Sequence, residues 1–284
     1  MRIALAANRA SGGGLDPGPL AAAMREHGAE VTIHSCDPED LEAIADSRPD
    51  RVAVAGGDGT IGPVAELAGR LDVPLGAIPT GTANDFARIY QLPDDPRVAA
   101  ALAAAGDHTR PLELGRLSDG RPFVNVASAG LASVAARNAQ PLKPRLGPLA
   151  YGVGAARAAV TEAPLEATVR VDGETVFEGP SWQVIVAVSG AFGGGSGVAE
   201  ADPDDGRLDV VVLPAGSRLG LARRAYGLRT QTIASQRDVE HHRGHLIEVG
   251  LPPDSELNVD GEIRPNGLDR VTVEPRAFRL VVPA

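Results

Sequence analysis

The sequence predicts an α/β domain followed by a β-rich, sandwich-like domain. Three observations predict it. Short apolar runs alternate with helix signals as far as Gly106, Gly-rich loops follow several of those runs, and beyond Gly106 the chain becomes a series of short strands punctuated by turns. Alternating strand and helix implies parallel strands with crossover helices on the faces, whereas closely spaced strands imply antiparallel pairing. With 284 residues, 43% hydrophobic and 23% charged, the chain is long enough for two cores.

In order, Ile3 to Ala7 reads as a strand ending in Asn8-Arg9-Ala10-Ser11-Gly12-Gly13-Gly14, and a helix follows over Leu20 to His27. Val31 to Ser35 is a second strand, Pro38 to Ala45 a helix, and Arg51 to Ala55 a strand leading into Gly56-Gly57-Asp58-Gly59-Thr60. A helix through Val64 to Gly69, a strand Pro74 to Ile78 and a helix from Ala83 to Tyr90 complete the pattern. Leu112 to Leu117 and Arg121 to Ala127 flank the turn Ser118-Asp119-Gly120 as a hairpin. Further strands are expected at Ala167 to Val171, Thr175 to Glu178, Trp182 to Ser189, Arg207 to Leu213, His245 to Val249, Glu256 to Val259, Val271 to Glu274 and Phe278 to Val282. Helices interrupt them at about Leu149 to Val160 and Arg218 to Thr230. The division is expected at Ala105-Gly106-Asp107, giving domains 1–107 and 108–284, with the last strand free to return to the first domain.

Charge narrows the function classes. Thirty-seven acidic against 27 basic residues give a net charge of −10, which argues against a nucleic-acid binder. The one lysine, Lys143, lies in Leu142-Lys143-Pro144-Arg145, so neither a phosphate loop ending in Lys-Ser/Thr nor the strand lysine of protein kinases is present. Any phosphate site must use backbone amides and Arg. Cys36 stands alone and reads as an inert residue at a strand end. No signal peptide or apolar span is evident, so a cytoplasmic protein, at most peripheral at the inner membrane face, is expected.

Four segments hold residue types that chemistry uses. Asn8 to Gly14 and Gly56 to Thr60 each follow a strand and precede a helix, where amides form an anion site and Asp58 can hold a cation or orient a nucleophile. The first is equally readable as a plain turn. In Pro79-Thr80-Gly81-Thr82-Ala83-Asn84-Asp85-Phe86-Ala87-Arg88, Thr82 and Asp85 fit a capping box, which leaves Gly81 and Asn84 unexplained. All three loops fall at carboxyl ends of parallel strands, where open α/β sheets bind ligands. The fourth segment, Ala201 to Asp209, has closely spaced carboxylates suited to Mg²⁺ or Ca²⁺, or to an acidic surface turn. In Asn258-Val259-Asp260-Gly261-Glu262, Asp260-Gly261 is a hairpin turn, and Glu262 by itself reads equally as an exposed turn residue. His241, His242 and His245 read as solvated loop residues in preference to a metal site.

Together these residues resemble the diacylglycerol kinase catalytic family, which includes soluble bacterial lipid kinases and the sphingosine and ceramide kinases. The match is carried in order by Asn8 to Gly12, Gly56 to Thr60, Pro79 to Ala87, Leu146-Gly147-Pro148-Leu149-Ala150-Tyr151, Phe192-Gly193-Gly194-Gly195, Asp202 to Asp209, and Val259-Asp260-Gly261-Glu262. The resemblance implies two domains with the active site in a cleft, and transfer of phosphate from ATP to a lipid alcohol, most simply diacylglycerol. It implies ATP phosphates on Asn8, Arg9, Ala10, Ser11, Gly12 and on Gly56, Gly57, Asp58, Gly59, Thr60, Ile61 and Gly62, with Thr82 in contact and Ser35 supplying a hydroxyl. It implies Mg²⁺ on Asp202, Asp205 and the Arg207 carbonyl, Glu262 as proton acceptor and Asp58 arranging metal and phosphates. This sequence departs at Gly62-Pro63, where relatives commonly carry Asn-Glu, so a carboxylate near the phosphates is missing. A soluble alcohol acceptor and a nucleotide-binding regulatory protein are the alternatives; an NAD kinase shares only Gly56 to Thr60. No nucleic-acid partner is expected, and homodimerisation is left open.

The charge is unevenly spread. Arg137, Lys143, Arg145 and Arg157 lie in an acid-free stretch, and six Arg between Ser217 and His245 face only Asp238 and Glu240. Were both on one face, they would meet an anionic membrane.

Overall fold

The computed structural model describes the chain except residues 12–13, 140, 142–156, 159–160, 199–200 and 266–268. The expected helix Leu149 to Val160, the segment Leu146 to Tyr151, Lys143, Arg145 and the loop residue Gly12 therefore lie wholly or mostly outside the described residues. Two compact units divide it, one of Met1–Leu114 with Pro275–Ala284, the other Gly115–Glu274.

The first unit is a parallel sheet. Its strands are β1 (Arg2–Ala7), β2 (Glu30–His34), β3 (Arg51–Gly56) and β4 (Leu75–Pro79), in the order β2-β1-β3-β4. The carboxyl-terminal part of β17 (Arg270–Val281) joins beside β4 through Leu280 opposite Leu75. β3 is buried along its whole length, which is what a strand covered on both faces by helices requires. Helices α1 (Gly18–Glu26), α2 (Pro38–Ser47), α3 (Asp58–Arg70), α4 (Asp85–Ile89) and α5 (Pro96–Ala105) connect or follow them.

The helix α5 is absent from the sequence reading, although its signals are local. Asp95 accepts the Arg97 and Val98 amides and Pro96 opens the helix. Its small face, Ala99, Ala100, Ala103 and Ala104, packs with Ile3, Leu5 and Met24 in one core. Arg51 anchors its far end, donating from Nη1 to the Ala103 carbonyl at 2.7 Å and from Nη2 to the Gly106 carbonyl at 2.9 Å. A chain of alanines leaves periodicity little contrast, and that hides the helix.

The second unit is antiparallel. β5 (Thr109–Leu117) pairs with β6 (Pro122–Phe123) across the expected Ser118-Asp119-Gly120 turn; β7 (Val126–Gly130) and helix α6 (Leu131–Ala139), also unforeseen, follow. Then come β8 (Leu165–Val171), β9 (Glu174–Ala187), the short pair β10 (Ala191–Phe192) and β11 (Ser196–Gly197), β12 (Leu208–Pro214) and helix α7 (Arg218–Arg229). β13 (Glu240–Gly244), β14 (Leu246–Gly250), β15 (Glu256–Val259) and β16 (Glu262–Pro265) precede β17. The long strand β9 merges two expected strands and pairs with β8, β7 and β12. Its residues alternate between two cores: Val184 and Val186 join Val210, Val212 and Leu257, while Ile185 and Ala187 join Val211, Leu213 and Leu221 of α7. Each face of the strand is thus buried, as a period of two demands.

Two Asp-Gly pairs turn hairpins in this unit. Asp172 and Gly173 have φ of 49° and 91°, Asp260 and Gly261 of 48° and 89°. Both central residues in the left-handed region is the type I′ signature, whose twist matches that of the strands.

Candidate active site

Three loops of the first unit leave the carboxyl ends of β1, β3 and β4 and are tied to one another. Asn8 donates from Nδ2 to the Thr60 hydroxyl at 3.1 Å, while its Oδ1 accepts the Ala10 amide. Ser11 donates to the Thr80 carbonyl at 2.9 Å, and Thr80 Oγ1 donates to Ser11 Oγ at 3.2 Å. The third junction is steric: a Cβ on Gly81 would fall 2.6 Å from the Gly57 Cα, and one on Gly56 would fall 2.7 Å from the Thr60 Cβ. Glycine is required here by close approach rather than by turn geometry.

The helix α3 starts at Asp58, well before the expected Val64, with Gly57 as its N-cap. The Gly57, Asp58 and Gly59 amides consequently belong to the open first turn, an anion-binding arrangement. Ile61 and Gly62 are buried within α3, where the helix itself uses their amides. Pro63 lies in the second turn, so the Gly59 carbonyl loses its intrahelical donor.

Thr82 is exposed and does not cap α4. Asn84 stands at the N-cap with φ of 50°, and its side chain is turned back on Gly81, accepting the Gly81 amide at 2.9 Å and donating to the Gly81 carbonyl at 3.1 Å. Asp58 does the capping from the neighbouring loop: its oxygens accept the Phe86 amide at 2.8 Å and the Asp85 amide at 3.2 Å. The carboxylate expected to arrange metal and phosphates therefore has a positioning task as well. Ser35, at the end of β2, donates its hydroxyl to Asp37 at 2.6 Å and its amide to Asp40 at 2.8 Å. Arg9 and Ala10 are exposed on the first loop. Burial, reinforced by the Asp37 charge, pushes the Cys36 thiol up to about 12.

In the second unit, Glu262 opens β16 and forms an ion pair with Arg121 at 2.5 Å. Asp260, read from sequence as a turn residue only, is buried; its carboxylate accepts the Val124, Asn125 and Val126 amides at 2.8, 2.9 and 3.0 Å. This ties the hairpin bearing Glu262 to the β6–β7 connection. The acidic turn brings Asp202 and Asp205 together, since the Asp205 amide bonds the Asp202 carbonyl at 3.4 Å. Asp205 Oδ1 accepts the Arg207 amide at 3.0 Å and its Oδ2 pairs with Arg243. His241 corrects the solvated-loop reading: it lies in β13 with Nε2 2.6 Å from Oδ1 of the fully buried Asp209. Among the described residues no group of three or more His, Cys, Asp or Glu side chains is arranged to hold a metal.

The family model for the "Diacylglycerol kinase catalytic domain" matches residues 2–117, and that for the "YegS C-terminal NAD kinase beta sandwich-like domain" matches residues 125–282. A "Diacylglycerol kinase" of Bacillus subtilis (strain 168) is 31% identical over 218 residues, 75% of this chain and 71% of the relative. The chain belongs to the diacylglycerol kinase catalytic family. A second relative, "Probable lipid kinase YegS-like" of Pseudomonas aeruginosa, is 34% identical over 278 residues, covering 93% of this chain and 88% of its own. A diacylglycerol kinase crystal structure from Bacillus anthracis str. Sterne shares the fold, with a TM-score of 0.76 at 22% identity over 99% of this chain and 97% of that one. An NAD kinase from Archaeoglobus fulgidus in complex with ATP has a TM-score of 0.56 at 17% identity, covering 99% and 93%.

Membership makes this chain an alcohol-acceptor phosphotransferase with an α/β domain and a β-sandwich-like domain. The residues present fit the groups that such a transferase needs. Glycines at 56, 57 and 81 let the loops after β3 and β4 pack against each other, and the first turn of α3 offers amides. Two carboxylates and a carbonyl on one turn are hard oxygen donors of the kind Mg²⁺ prefers, although Arg243 already occupies one Asp205 oxygen. Among the described residues no helix is long and apolar enough to cross a membrane.

Proposed function

We propose that this chain transfers the γ-phosphoryl group of ATP to a lipid hydroxyl, most simply that of diacylglycerol, giving phosphatidic acid for phospholipid synthesis. The observation that carries the reading is the three-loop clasp at the strand ends, held by Asn8 on Thr60, Ser11 on Thr80 and Gly57 against Gly81. Phosphates would rest on amides of the Asn8 to Ser11 loop and of Gly57 to Gly59, with the Thr60 and Ser35 hydroxyls as further contacts. Backbone donors explain how a chain whose one lysine is Lys143 manages without a phosphate-binding lysine.

Glu262 is the proposed proton acceptor: it takes the proton of the lipid hydroxyl as that oxygen bonds to the γ-phosphorus and ADP leaves. Arg121 fixes the orientation of its carboxylate, and Asp260 fixes its hairpin. Mg²⁺ held by Asp202, Asp205 and the Arg207 carbonyl would supply charge neutralisation. Asp58 positions α4 and the loop before it.

An anionic membrane surface is the proposed site of work. Lys143 and Arg145 lie outside the described residues, Arg137 is paired with Glu256, and Arg224 is buried. The docking face proposed is α7, where Tyr226 is 69% exposed with the exposed Arg223 and Arg229 three residues to either side. An aromatic ring between cations suits the headgroup region.

A soluble alcohol is the second reading, favoured by Gly62-Pro63 in place of a carboxylate. Labelled ATP offered with diacylglycerol, monoacylglycerol, sphingoid bases and soluble alcohols decides. Label in a lipid product supports the first reading; label only in a water-soluble product overturns it.

A further inference from the structure

We propose that Arg243 is a resident counter-cation of the acidic turn, which a divalent cation must displace from Asp205, and that the buried carboxylate of Asp209 receives it. The inference rests on the assignment of Asp202, Asp205 and the Arg207 carbonyl as cation ligands.

The strand register builds the arrangement. Asp209 of β12 lies directly opposite Arg243 of β13, and His241, two residues along β13, shares that face. Arg243 Nη2 bonds Asp205 Oδ2, and its Nε lies 3.3 Å from Asp209 Oδ1. One guanidinium therefore spans two carboxylates, one partly exposed and one fully buried. Asp209 Oδ1 also receives His241, whereas its Oδ2 is buried without a hydrogen-bond partner. Leaving a buried carboxylate oxygen unbonded is costly, and such an atom is a standing acceptor for any donor that can reach it.

Arg243 is the donor within reach. Asp205 Oδ1 already accepts the Arg207 amide, so a cation binding Asp205 competes for Oδ2, the oxygen Arg243 holds. Released from it, the guanidinium can present its fork to both oxygens of Asp209, the geometry in which an arginine pairs best with a carboxylate. Without metal, Arg243 keeps the turn neutralised, and it lowers the affinity of the site. It acts on the metal through Asp205 and is a positioning residue.

The test is Mn²⁺ binding to the full chain at fixed ionic strength, followed by the electron paramagnetic resonance of free Mn²⁺, with Mg²⁺ calorimetry alongside. Wild type is compared with Arg243→Gln, Arg243→Lys, Asp209→Asn and Asp205→Asn. Arg243→Gln is expected to bind about two- to fivefold tighter, the worth of one partly exposed ion pair. Arg243→Lys should return toward wild type, and Asp209→Asn should bind more weakly because Arg243 has lost its second carboxylate. Equal affinity in Arg243→Gln and wild type, with binding lost in Asp205→Asn, overturns the inference and leaves the ligand assignment standing. Unchanged binding in Asp205→Asn overturns both. Asp209 is buried, so if circular dichroism shows that Asp209→Asn does not fold, the two variants of the partly exposed Arg243 decide the matter.

Discussion

Gly57 and Gly81 lie back to back, so close that a methyl group on Gly81 would fall 2.6 Å from the Gly57 Cα. The neighbour is backbone and cannot rotate away. Gly81→Ala is therefore expected to cost about 1–3 kcal/mol, the usual range for overpacking. It should also weaken ATP binding by parting the loops after β3 and β4. Urea unfolding and calorimetric ATP titration check the two effects; a variant as stable as wild type with unchanged affinity contradicts the clasp.

Asp58 gives a second prediction. Its carboxylate caps α4 across loops, so Asp58→Ala should lose about 0.5–2 kcal/mol, as removal of a helix cap does. Asp58→Asn, keeping one acceptor oxygen, should fall between. Thermal unfolding measures this, and equal loss of ATP affinity in both variants would instead mark the charge as what matters.

Acid stability should carry the signature of Asp172. The Leu246 amide first, opposed by burial and joined by the His245 amide, holds this carboxyl below the ordinary carboxylate range. Its folded value is below its unfolded one, so its stabilisation is present above about pH 4 and is lost as pH falls through the folded value. Asp172→Asn should flatten that acid limb and lower the stability at pH 7 slightly, with no change of slope there. The carboxylate is about half exposed, so solvent screening keeps the effect small. Unfolding curves between pH 2 and pH 5, on the order of the range given by reference carboxylate values, provide the comparison.

Much of this architecture is legible in the sequence because its signals are local. Val52 and Val54 in an all-buried strand, and Asp260-Gly261 between alternating residues, state their own conformations. The glycine loops likewise announce close approach. Apart from α5, hidden by its run of alanines, what stays hidden depends on partners distant in sequence. Asp58 and Phe86 are 28 residues apart, and Arg121 and Glu262 are 141 apart. Only folding reveals that Asn84 serves Gly81 while a carboxylate from another loop caps α4. The strand β13 escapes sequence reading because Glu240 to Arg243 is wholly polar; its place is set by β12, whose buried Asp209 faces Arg243.

The proposed membrane attachment rests on α7. Arg223→Glu with Arg229→Glu should reduce sedimentation with phosphatidylglycerol vesicles, and Tyr226→Ser should do so at high salt, where the charges are screened. Neither variant touches the phosphate loops, so turnover on a detergent-dispersed acceptor should hold. Unchanged vesicle binding in both variants contradicts the docking face.

The most direct measurement of the central claim is transfer of labelled phosphate from ATP to diacylglycerol in mixed micelles by wild type and Glu262→Gln, with ATP affinity measured on both. The account predicts labelled phosphatidic acid from wild type, its loss by at least about 100-fold in the variant, the scale of a missing general base, and ATP affinity unchanged. Equal transfer by the two proteins, or no lipid product from wild type, would contradict it.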